Sequence, residues 1–218
     1  MNGPTKVFVV DDHALVRGAL CERLDREAAI SVVGSARTAD EAIEQIARTR
    51  PDVVLMDIDM PGVSCFDAAR QIAADQPATH VIFLSAFFND HYIEQALAVK
   101  AKGYLTKREP PEDVVAAIRE VANGGAYFSE EVRSRIVVDA RGASLAQRSR
   151  SRVSTLTTRE LEVLRYVARG MAKKQIARVM HISPKTVDRH SFNLMTKLDI
   201  HDRVELSRFA IREGLAEP

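Results

Sequence analysis

Residues 52–62, DVVLMDIDMPG, decide the fold of the first half of the chain. Four apolar residues, Val53 to Met56, lead directly into the carboxylate of Asp57, and a Pro-Gly turn follows. A short continuous apolar run between turn signals is typical of a strand that is buried on both faces of a sheet. Residues 6–13, KVFVVDDH, contain the same kind of run, followed by two adjacent aspartates. Both stretches therefore predict buried strands with carboxylates at their carboxyl ends.

Outward from these two strands, the apolar pattern alternates between short β-branched runs and longer amphipathic stretches. Five strand–helix repeats predict an α/β domain with a doubly wound, five-stranded parallel sheet, because parallel strands need crossovers on the faces of the sheet. The predicted strands are 7–10, 31–33, 53–56, 81–84 and 104–105, and helical spacing runs through 14–24, 42–46 and 114–121.

Length and charge indicate two domains with different partners. A chain of 218 residues is long enough to bury two separate cores. Residues 1–125 carry 13 basic and 19 acidic side chains, a net charge of −6, whereas residues 126–218 carry 18 and 11, a net charge of +7. We therefore expect cations to bind the first half and a polyanion to bind the second.

Composition also argues against several classes of protein. The two cysteines lie in separate segments without CxxC spacing, which argues against a disulfide framework or a zinc site. No apolar run approaches the roughly 18 residues of a membrane span, and the N-terminus has no export signal. We expect a cytoplasmic protein that has no membrane partner.

Carboxylates and other polar groups follow several of the predicted strands. In an open parallel sheet the carboxyl ends of the strands form the ligand-binding crevice, so we expect Asp11, Asp12, Asp57 and Ser85 to converge there. Three carboxylates in one pocket repel each other unless a cation or a proton is taken up, and Mg²⁺ suits such oxygen ligands. Lys107 follows the fifth strand at the same edge. These groups together would form a receptor for a phosphoryl group, with Asp57 as the nucleophile.

The residues at these strand ends match a known pattern. They are Asp11-Asp12, Asp57 with Met60-Pro61-Gly62, Ser85-Ala86, and the run from Gly103 to Lys107. Over residues 5–124 the pattern resembles the receiver domain of two-component response regulators, which has a flavodoxin/CheY-like fold. The resemblance implies that a sensor histidine kinase phosphorylates Asp57, and that the chain is not an enzyme beyond this transfer and a slow dephosphorylation.

The resemblance also implies roles for the surrounding residues. Ser85 would move towards the phosphoryl group, the ring of Tyr104 would rotate inward behind it, and Lys107 would pair with the anion. The implied Mg²⁺ ligands are Asp12 directly, Asp11 through water, Asp57, and the backbone carbonyl of Asp59.

A phosphatase is the main alternative for this half of the chain. Residues 57–59, DID, match the DxD of haloacid-dehalogenase-type phosphatases, in which one aspartate is the nucleophile and the other the general acid. Three features count against it: Met60-Pro61 follows the motif, the motif comes after the third predicted strand instead of the first, and the Asp11-Asp12 pair has no place.

Helical periodicity returns in the last third of the chain. A short helix is predicted from Ser129 to Val138, and an Arg- and Ser-rich stretch after it predicts a flexible linker. Residues 157–160, TTRE, offer an N-cap threonine for the next helix, with Glu160 two or three residues after it as the second member of a capping box. The remaining predicted helices are 173–180, 184–198 and 202–212, and the predicted domain bounds are 1–124 for the receiver, 125–153 for the linker and 154–218 for a small all-α domain.

Residues 175–187, QIARVMHISPKTV, predict a helix-turn-helix. Ser183 would cap the second helix and Pro184 would occupy its first position. Val187 begins a stripe, continued by residues 191, 194 and 198, that predicts the buried face of this helix. The opposite face is expected to enter the DNA major groove and read base edges. It carries Lys185, Asp188, Arg189, Phe192 and Thr196.

About 55 residues from Leu156 onward resemble the LuxR-type helix-turn-helix of the NarL/FixJ group of regulators. The residues that carry the resemblance are Leu156-Thr157, Arg159-Glu160, Glu162-Val163-Leu164, Gly170, Ile176-Ala177, Ile182-Ser183, Thr186-Val187, His190 and Lys197-Leu198. The resemblance implies binding to double-stranded promoter DNA as a homodimer on activation, with the last helix as one dimer contact. The expected DNA contacts are Lys173, Lys174, Ser183, Lys185, Thr186, Asp188, Arg189, Phe192, Asn193 and Lys197.

The chain departs from this family at several positions. A basic residue usually follows Thr-Val, whereas Asp188 stands there, and a carboxylate can accept from cytosine but is repelled by phosphate. Gln175 and Lys173 replace the usual Glu and Asn, so that Lys173 and Lys174 become expected phosphate contacts. The sequence leaves open whether DNA binding needs phosphorylation, whether the basic half is a protein adaptor, and whether Phe192 contacts a thymine methyl or another protein.

Overall fold

The computed structural model describes residues 3–60, 62–86, 90–139, 142–145 and 152–216. The chain forms two compact units, one built mainly from residues before 146 and the other mainly from residues 146–218. No helix in the described ranges is both long enough and apolar enough to span a membrane.

Within the described ranges, the first unit has a sheet of six parallel strands and six helices. Its strands are β1 (Thr5–Val10), β2 (Ile30–Ala36), β3 (Val53–Asp57), β4 (His80–Ser85), β5 (Gly103–Thr106) and β6 (Tyr127–Phe128). Its helices are α1 (Ala14–Asp25), α2 (Ala39–Thr49), α3 (Cys65–Asp75), α4 (Asp90–Ala98), α5 (Pro111–Ala122) and α6 (Glu130–Arg133). The strand order is β2-β1-β3-β4-β5-β6, with every neighbouring pair parallel, which confirms the predicted fold class.

Alternate residues of the central strands build two apolar layers, because side chains along a strand point to opposite faces. Val9, Leu55 and Ile82 are fully buried in a cluster that includes residues of α1 and α5. The intervening positions include Phe83, whose ring centroid lies 4.9 Å from that of Phe66 on α3. The buried apolar runs therefore hold the polar strand ends in fixed positions at one edge of the sheet.

The sixth strand corrects the prediction of five. Tyr127–Phe128 pairs with β5, and the backbone N–H groups of Tyr127 and Ser129 donate to the carbonyls of Lys102 and Tyr104 at 2.8 and 3.1 Å. A Cβ on Gly103 would lie 2.8 Å from the Tyr127 carbonyl oxygen, so glycine permits this close pairing. A strand of two residues is too short to produce an alternating apolar pattern, which is why periodicity missed it.

The segment after β6 also differs from the prediction. The helix predicted from Ser129 to Val138 is only the single turn of α6, and β7 (Ile136–Asp139) follows it, paired antiparallel with β8 (Gly142–Leu145). The β-branched run at 136–138 favours a strand over a helix. The predicted linker, 125–153, thus contains a hairpin and the first half of a 3₁₀ helix at Arg152–Thr155, whereas residues 140–141 and 146–151 lie outside the described residues.

Between residues 156 and 216, the second unit has four α-helices. They are α7 (Thr158–Ala168), α8 (Lys173–Val179), α9 (Pro184–Leu198) and α10 (Arg203–Arg212). The predicted capping box is confirmed, since the Glu160 N–H donates to Thr157 Oγ1 at 3.3 Å and the Thr157 N–H donates to Glu160 Oε2 at 2.8 Å. The predicted cap of α9 is confirmed as well, with the Thr186 N–H donating to Ser183 Oγ at 3.1 Å.

Candidate functional site

The polar residues predicted at strand ends meet at the carboxyl edge of the sheet. Asp11 follows β1, Asp57 ends β3, Ser85 ends β4, and Lys107 follows β5. These four strands are consecutive neighbours in the sheet, so the residues that follow them adjoin as well. The order of the strands reverses at β1 and β3, which is where open α/β sheets bind ligands.

A cluster of carboxylates forms the centre of this pocket. One potential ligand atom from each of Asp11, Asp12, His13 and Asp57 lies within 4.8 Å of all the others. The Lys107 ammonium lies 2.7 Å from Asp11 Oδ2 and 2.9 Å from Asp57 Oδ2. Asp11 and Asp57 are fully buried, and Asp12 is partly exposed at the pocket mouth. The predicted convergence of these acids with the lysine is therefore present in the structure.

Sequence reasoning did not identify His13 as part of this cluster. Its Nδ1 lies 2.9 Å from Asp12 Oδ1, and its backbone N–H donates to Asp11 Oδ1 at 2.8 Å. The only signal was its place immediately after the two aspartates. Its imidazole is largely exposed and therefore lies at the outer side of the pocket.

The charges in the pocket shift the protonation of its two central groups. Burial raises the pKa of Asp57 to about 6; the Lys107 ammonium opposes this rise, and the charges of Asp59 and Asp11 add to it. Burial by itself would lower the pKa of Lys107, but the attraction of Asp57 and the hydrogen bonds to Asp11 and Asp57 outweigh it and raise the pKa. Lys107 is thus a permanent cation, whereas the pKa of the Asp57 carboxyl lies above its ordinary value.

Backbone and hydroxyl groups complete the wall of the pocket. The Asp59 N–H donates to Asp57 Oδ1 at 3.1 Å, and the Lys107 N–H donates to the Ser85 carbonyl at 2.7 Å. Tyr104 is fully buried, burial raises the pKa of its phenol, and a side-chain hydrogen bond with Ser85 opposes that rise. The Tyr104 ring therefore lies inside the fold in this structure, and its rotation on phosphorylation stays a prediction.

The donor set of this pocket fits Mg²⁺. The side-chain groups predicted as ligands are carboxylates, which are the hard oxygen donors that Mg²⁺ prefers. With Asp11, Asp12 and Asp57 ionised, the single ammonium of Lys107 leaves an excess of negative charge that a divalent cation would neutralise.

The exposed face of α9 is the candidate nucleic-acid interface. Val187, Leu194 and Leu198 are buried, as the apolar stripe predicted. The opposite face is exposed and includes Phe192, of which 70% is accessible. The other exposed residues predicted on this helix as DNA contacts are Lys185, Asp188, Arg189, Asn193 and Lys197, and Lys173 and Lys174 are exposed on α8.

Several predicted DNA contacts have partners within the protein. The Lys173 ammonium donates to Asp188 Oδ2 at 2.9 Å, which links α8 to α9. The Lys197 ammonium donates at 2.6 Å to Oε2 of Glu160, a carboxylate that is only 2% exposed. The structure thus gives Lys197 a structural partner that its position in the sequence did not indicate.

Three further polar residues of this unit have local roles. Ser183 Oγ lies 2.8 Å from Thr186 Oγ1, in addition to capping the helix. Burial lowers the pKa of the half-buried His190, as expected for a packed histidine. Arg152, predicted as part of the linker, instead donates to the Leu198 carbonyl at 2.6 Å.

Two family models match this chain. The response regulator receiver domain matches residues 7–119, and the luxR family of bacterial regulatory proteins matches residues 154–210. The chain is a response regulator of the NarL/FixJ group. This response regulator is therefore a DNA-binding transcription regulator of a two-component system, and the phosphatase alternative finds no support in its family.

Full-length relatives of this response regulator are similar over both units. It is 33% identical over 209 residues to the response regulator UvrY of Escherichia coli K12, covering 96% of this chain and 94% of UvrY. It is 34% identical over 215 residues to the oxygen regulatory protein NreC of Staphylococcus aureus, covering 97% and 99%. Among solved structures, RcsB of Salmonella enterica serovar Typhimurium, bound to promoter P1flhDC with a phosphomimetic, matches with a TM-score of 0.67 at 21% identity, covering 95% and 98%.

Proposed function

We propose that this response regulator accepts a phosphoryl group on Asp57 from a sensor histidine kinase, and that the modification controls how α9 binds promoter DNA. The observation that carries the proposal is the placement of Lys107, whose ammonium contacts both Asp57 and Asp11 inside a buried cluster of acids. A structural role alone would not explain several carboxylates crowded round one ammonium, because burying them has a high free-energy cost.

Each residue of the pocket has a separate role in the proposed phosphoryl transfer. An oxygen of the Asp57 carboxylate attacks the phosphorus of a phosphohistidine; the new O–P bond forms as the N–P bond breaks, and the imidazole leaves with the electron pair. Lys107 supplies positive charge where negative charge builds up on the phosphoryl oxygens. Asp11, Asp12, Asp57 and the carbonyl of Asp59 are the groups that would hold Mg²⁺, which when bound neutralises the phosphoryl oxygens and aligns them with the carboxylate.

The pair of Ser85 and Tyr104 is the proposed switch. The Ser85 hydroxyl can exchange its hydrogen bond with the Tyr104 phenol for one to a phosphoryl oxygen on Asp57. Ser85 is close enough to do so because it ends β4, the neighbour of β3, which Asp57 ends. The carbonyl of Tyr104 accepts from the Ser129 N–H, so a shift of β5 reaches β6 directly. In this way the charge added at Asp57 would bias a two-state element at the edge of the sheet.

The DNA-binding role is assigned to the exposed face of α9 and the start of α8. Cations at Lys174, Lys185 and Arg189 suit phosphate or base contacts, and Phe192 suits a thymine methyl. Helix α10 is the proposed dimer contact on DNA. RcsB, which has the same fold, was solved in a promoter complex, and this supports the assignment.

Intact-mass spectrometry after incubation with acetyl phosphate and Mg²⁺ tests the phosphoacceptor. Wild type should gain one phosphoryl group, Asp57→Asn should gain none, and chelation of the metal should abolish labelling. Asp67→Asn is the matched control, because Asp67 is an exposed carboxylate paired with Arg70 outside the pocket, and it should label like wild type. Equal labelling of Asp57→Asn would refute the assignment.

DNA selected from random sequence, with and without beryllofluoride, tests the second half of the proposal. Beryllofluoride should tighten binding by wild type and have no effect on Asp57→Asn. Arg189→Ala should weaken binding, whereas Arg70→Ala, which changes a receiver arginine, should not. If beryllofluoride leaves wild-type affinity unchanged, the chain binds DNA independently of phosphorylation. If no DNA is selected, the result favours the alternative that the basic half is a protein adaptor.

A further inference from the structure

The proposed DNA-facing surface of α9 carries one acid among its cations. Asp188 is the fifth residue of the helix, three residues after Lys185 and next to Arg189. Its carboxylate accepts at 2.9 Å from Lys173, the first residue of α8, so the pair joins the two helices of the helix-turn-helix. The side chains of Lys173 and Asp188 are 50% and 57% exposed.

Stability of the fold does not account for this pair. Ion pairs between exposed side chains contribute little to folding, because water screens the charges and two long side chains must be ordered. An unpaired acid at this place would also repel DNA phosphates and reduce affinity. The Lys173 ammonium cancels that repulsion, and the acid can then lie near DNA at a small electrostatic cost.

The two oxygens of Asp188 are used unequally. Oδ2 is held by Lys173, while Oδ1 makes no hydrogen bond to the part of the chain that the structure describes. A carboxylate with one oxygen held is restricted in rotation and still has a free acceptor. In the major groove, the cytosine N4 amino group is the donor that such an acceptor pairs with. The N-terminal half of a recognition helix, where Asp188 lies, is the part that contacts base edges.

We propose that Asp188 is a specificity-determining residue that accepts a hydrogen bond from cytosine, and that Lys173 is a positioning residue that holds the Asp188 carboxylate. Lys173 then makes no phosphate contact of its own, and Lys174 takes that role at the start of α8. This inference rests on the proposed binding of α9 to DNA.

Selection of bound duplexes from random sequence tests the reading of cytosine. Wild type should select cytosine at one position of each half-site, by a factor of about 10 to 100 over other bases. Asp188→Asn should change that position to adenine, because an amide pairs with adenine, and Asp188→Ala should lose the preference there while other positions stay fixed. Identical sites for all three proteins would overturn the proposal, whereas failure of every protein to select DNA would instead overturn the proposed function.

Salt dependence tests the role of Lys173, with Lys174→Met as the matched control. Each lysine that contacts a phosphate adds about 0.9 to the slope of log affinity against log salt. Lys174→Met should therefore flatten the slope by about 0.9. Lys173→Met should leave the slope nearly unchanged and weaken the cytosine preference. Equal flattening by both variants would make Lys173 a phosphate contact and overturn its positioning role.

A double variant, Asp188→Asn with Lys173→Met, tests whether the two residues act together. In Asp188→Asn the released Lys173 is free to reach phosphate, so the slope should steepen by about 0.9 and non-specific binding should tighten. Adding Lys173→Met to Asp188→Asn should return the slope to its wild-type value. A slope that stays steep in the double variant would show that loss of the acid alone causes the change, and would overturn the coupling of the two residues.

Discussion

Asp57 and Glu160 are both buried carboxylates that lie close to a lysine, yet their pKa values move in opposite directions. Burial raises the pKa of Asp57 to about 6 against the pull of Lys107. Burial also acts to raise the pKa of Glu160, but the hydrogen bond from Lys197 and those from Thr157 outweigh it and lower the pKa. The lysine distances, 2.9 Å to Asp57 and 2.6 Å to Glu160, differ too little to explain this.

The difference lies in what else surrounds each acid. Lys107 divides its ammonium between Asp57 and Asp11, and both Asp11 and Asp59 add negative charge near Asp57. Glu160 instead completes a capping box and accepts from Lys197 as well as from the Thr157 backbone. An acid whose charge is under-compensated retains affinity for an incoming cation and phosphoryl group, whereas a satisfied acid serves only the structure.

Removing Lys107 should produce the largest effect, because it leaves two buried acids without their cation. Lys107→Met should lower the free energy of unfolding by about 4 kcal/mol at pH 8, with a smaller loss at pH 5, where Asp57 takes up a proton. Urea unfolding at the two pH values, without metal, measures this. Lys100→Met, at an exposed lysine outside the pocket, is the control and should change stability little. Equal losses of stability in both variants would contradict the claim that Lys107 stabilises the fold by compensating the buried acids.

Asp57→Asn should act in the opposite direction and stabilise the protein. Because the folded pKa of Asp57, about 6, lies above the ordinary 3.8, its contribution to stability is complete below pH 4 and is lost as pH rises through 6. At pH 8 without metal the variant should therefore be more stable than wild type by up to about 3 kcal/mol, and the difference should vanish near pH 4. Denaturant titrations across this range check it, with Asp67→Asn as control; parallel curves for wild type and Asp57→Asn would contradict the raised pKa.

Lys197→Met should produce an intermediate loss with the reverse pH dependence. Removing the cation from Glu160 should cost about 2 kcal/mol at pH 7, the typical value for a hydrogen bond to a charged group. Because the folded pKa of Glu160 is lowered, the stability it contributes is present above its ordinary pKa and is lost on acidification. The deficit should thus shrink towards pH 3 in thermal or urea unfolding.

Lys174→Met is the control for that measurement, since Lys174 is exposed on α8. Salt-dependent DNA binding of Lys197→Met also tests the expectation that Lys197 contacts DNA, because a residue that serves only Glu160 should leave the salt slope unchanged. A deficit that persists at pH 3 would show that Lys197 stabilises α9 by other means.

Much of the receiver pocket could be predicted because it depends on short-range patterns and a topological rule. Apolar runs located strands β1 to β5, and the rule that parallel strands end at one edge brought Asp57 and Lys107 together although 50 positions separate them. The cap residues Ser183 and Pro184 likewise predicted where α9 begins. These features need no knowledge of distances across the fold.

The missed features depend on the packing of residues that no local pattern links. Glu160 and Lys197 are 37 residues apart, and their pairing follows from how α7 packs on α9. The two-residue strand β6 has too few positions for a period. Strand β7 was missed for a different reason: the charged residues of α6 directly before it suit a helix, and the predicted helix was extended through the β-branched run at 136–138. Pattern therefore predicts where a side chain lies in its element, while the partner of that side chain follows from tertiary geometry.

The exposed pair of Lys173 and Asp188 should produce the smallest effect on stability, because Asp188, unlike Asp57 and Glu160, lies at the surface. Asp188→Asn should change the free energy of unfolding by less than about 0.5 kcal/mol at pH 7, because both charges are well hydrated. Thermal unfolding beside Lys197→Met provides the comparison within the same unit. A loss of more than about 1 kcal/mol would mean that the ion pair stabilises the angle between α8 and α9, and any change in DNA selection by that variant would then follow from a displaced helix. A small loss instead means that a change in selected bases reports the chemistry of the carboxylate itself.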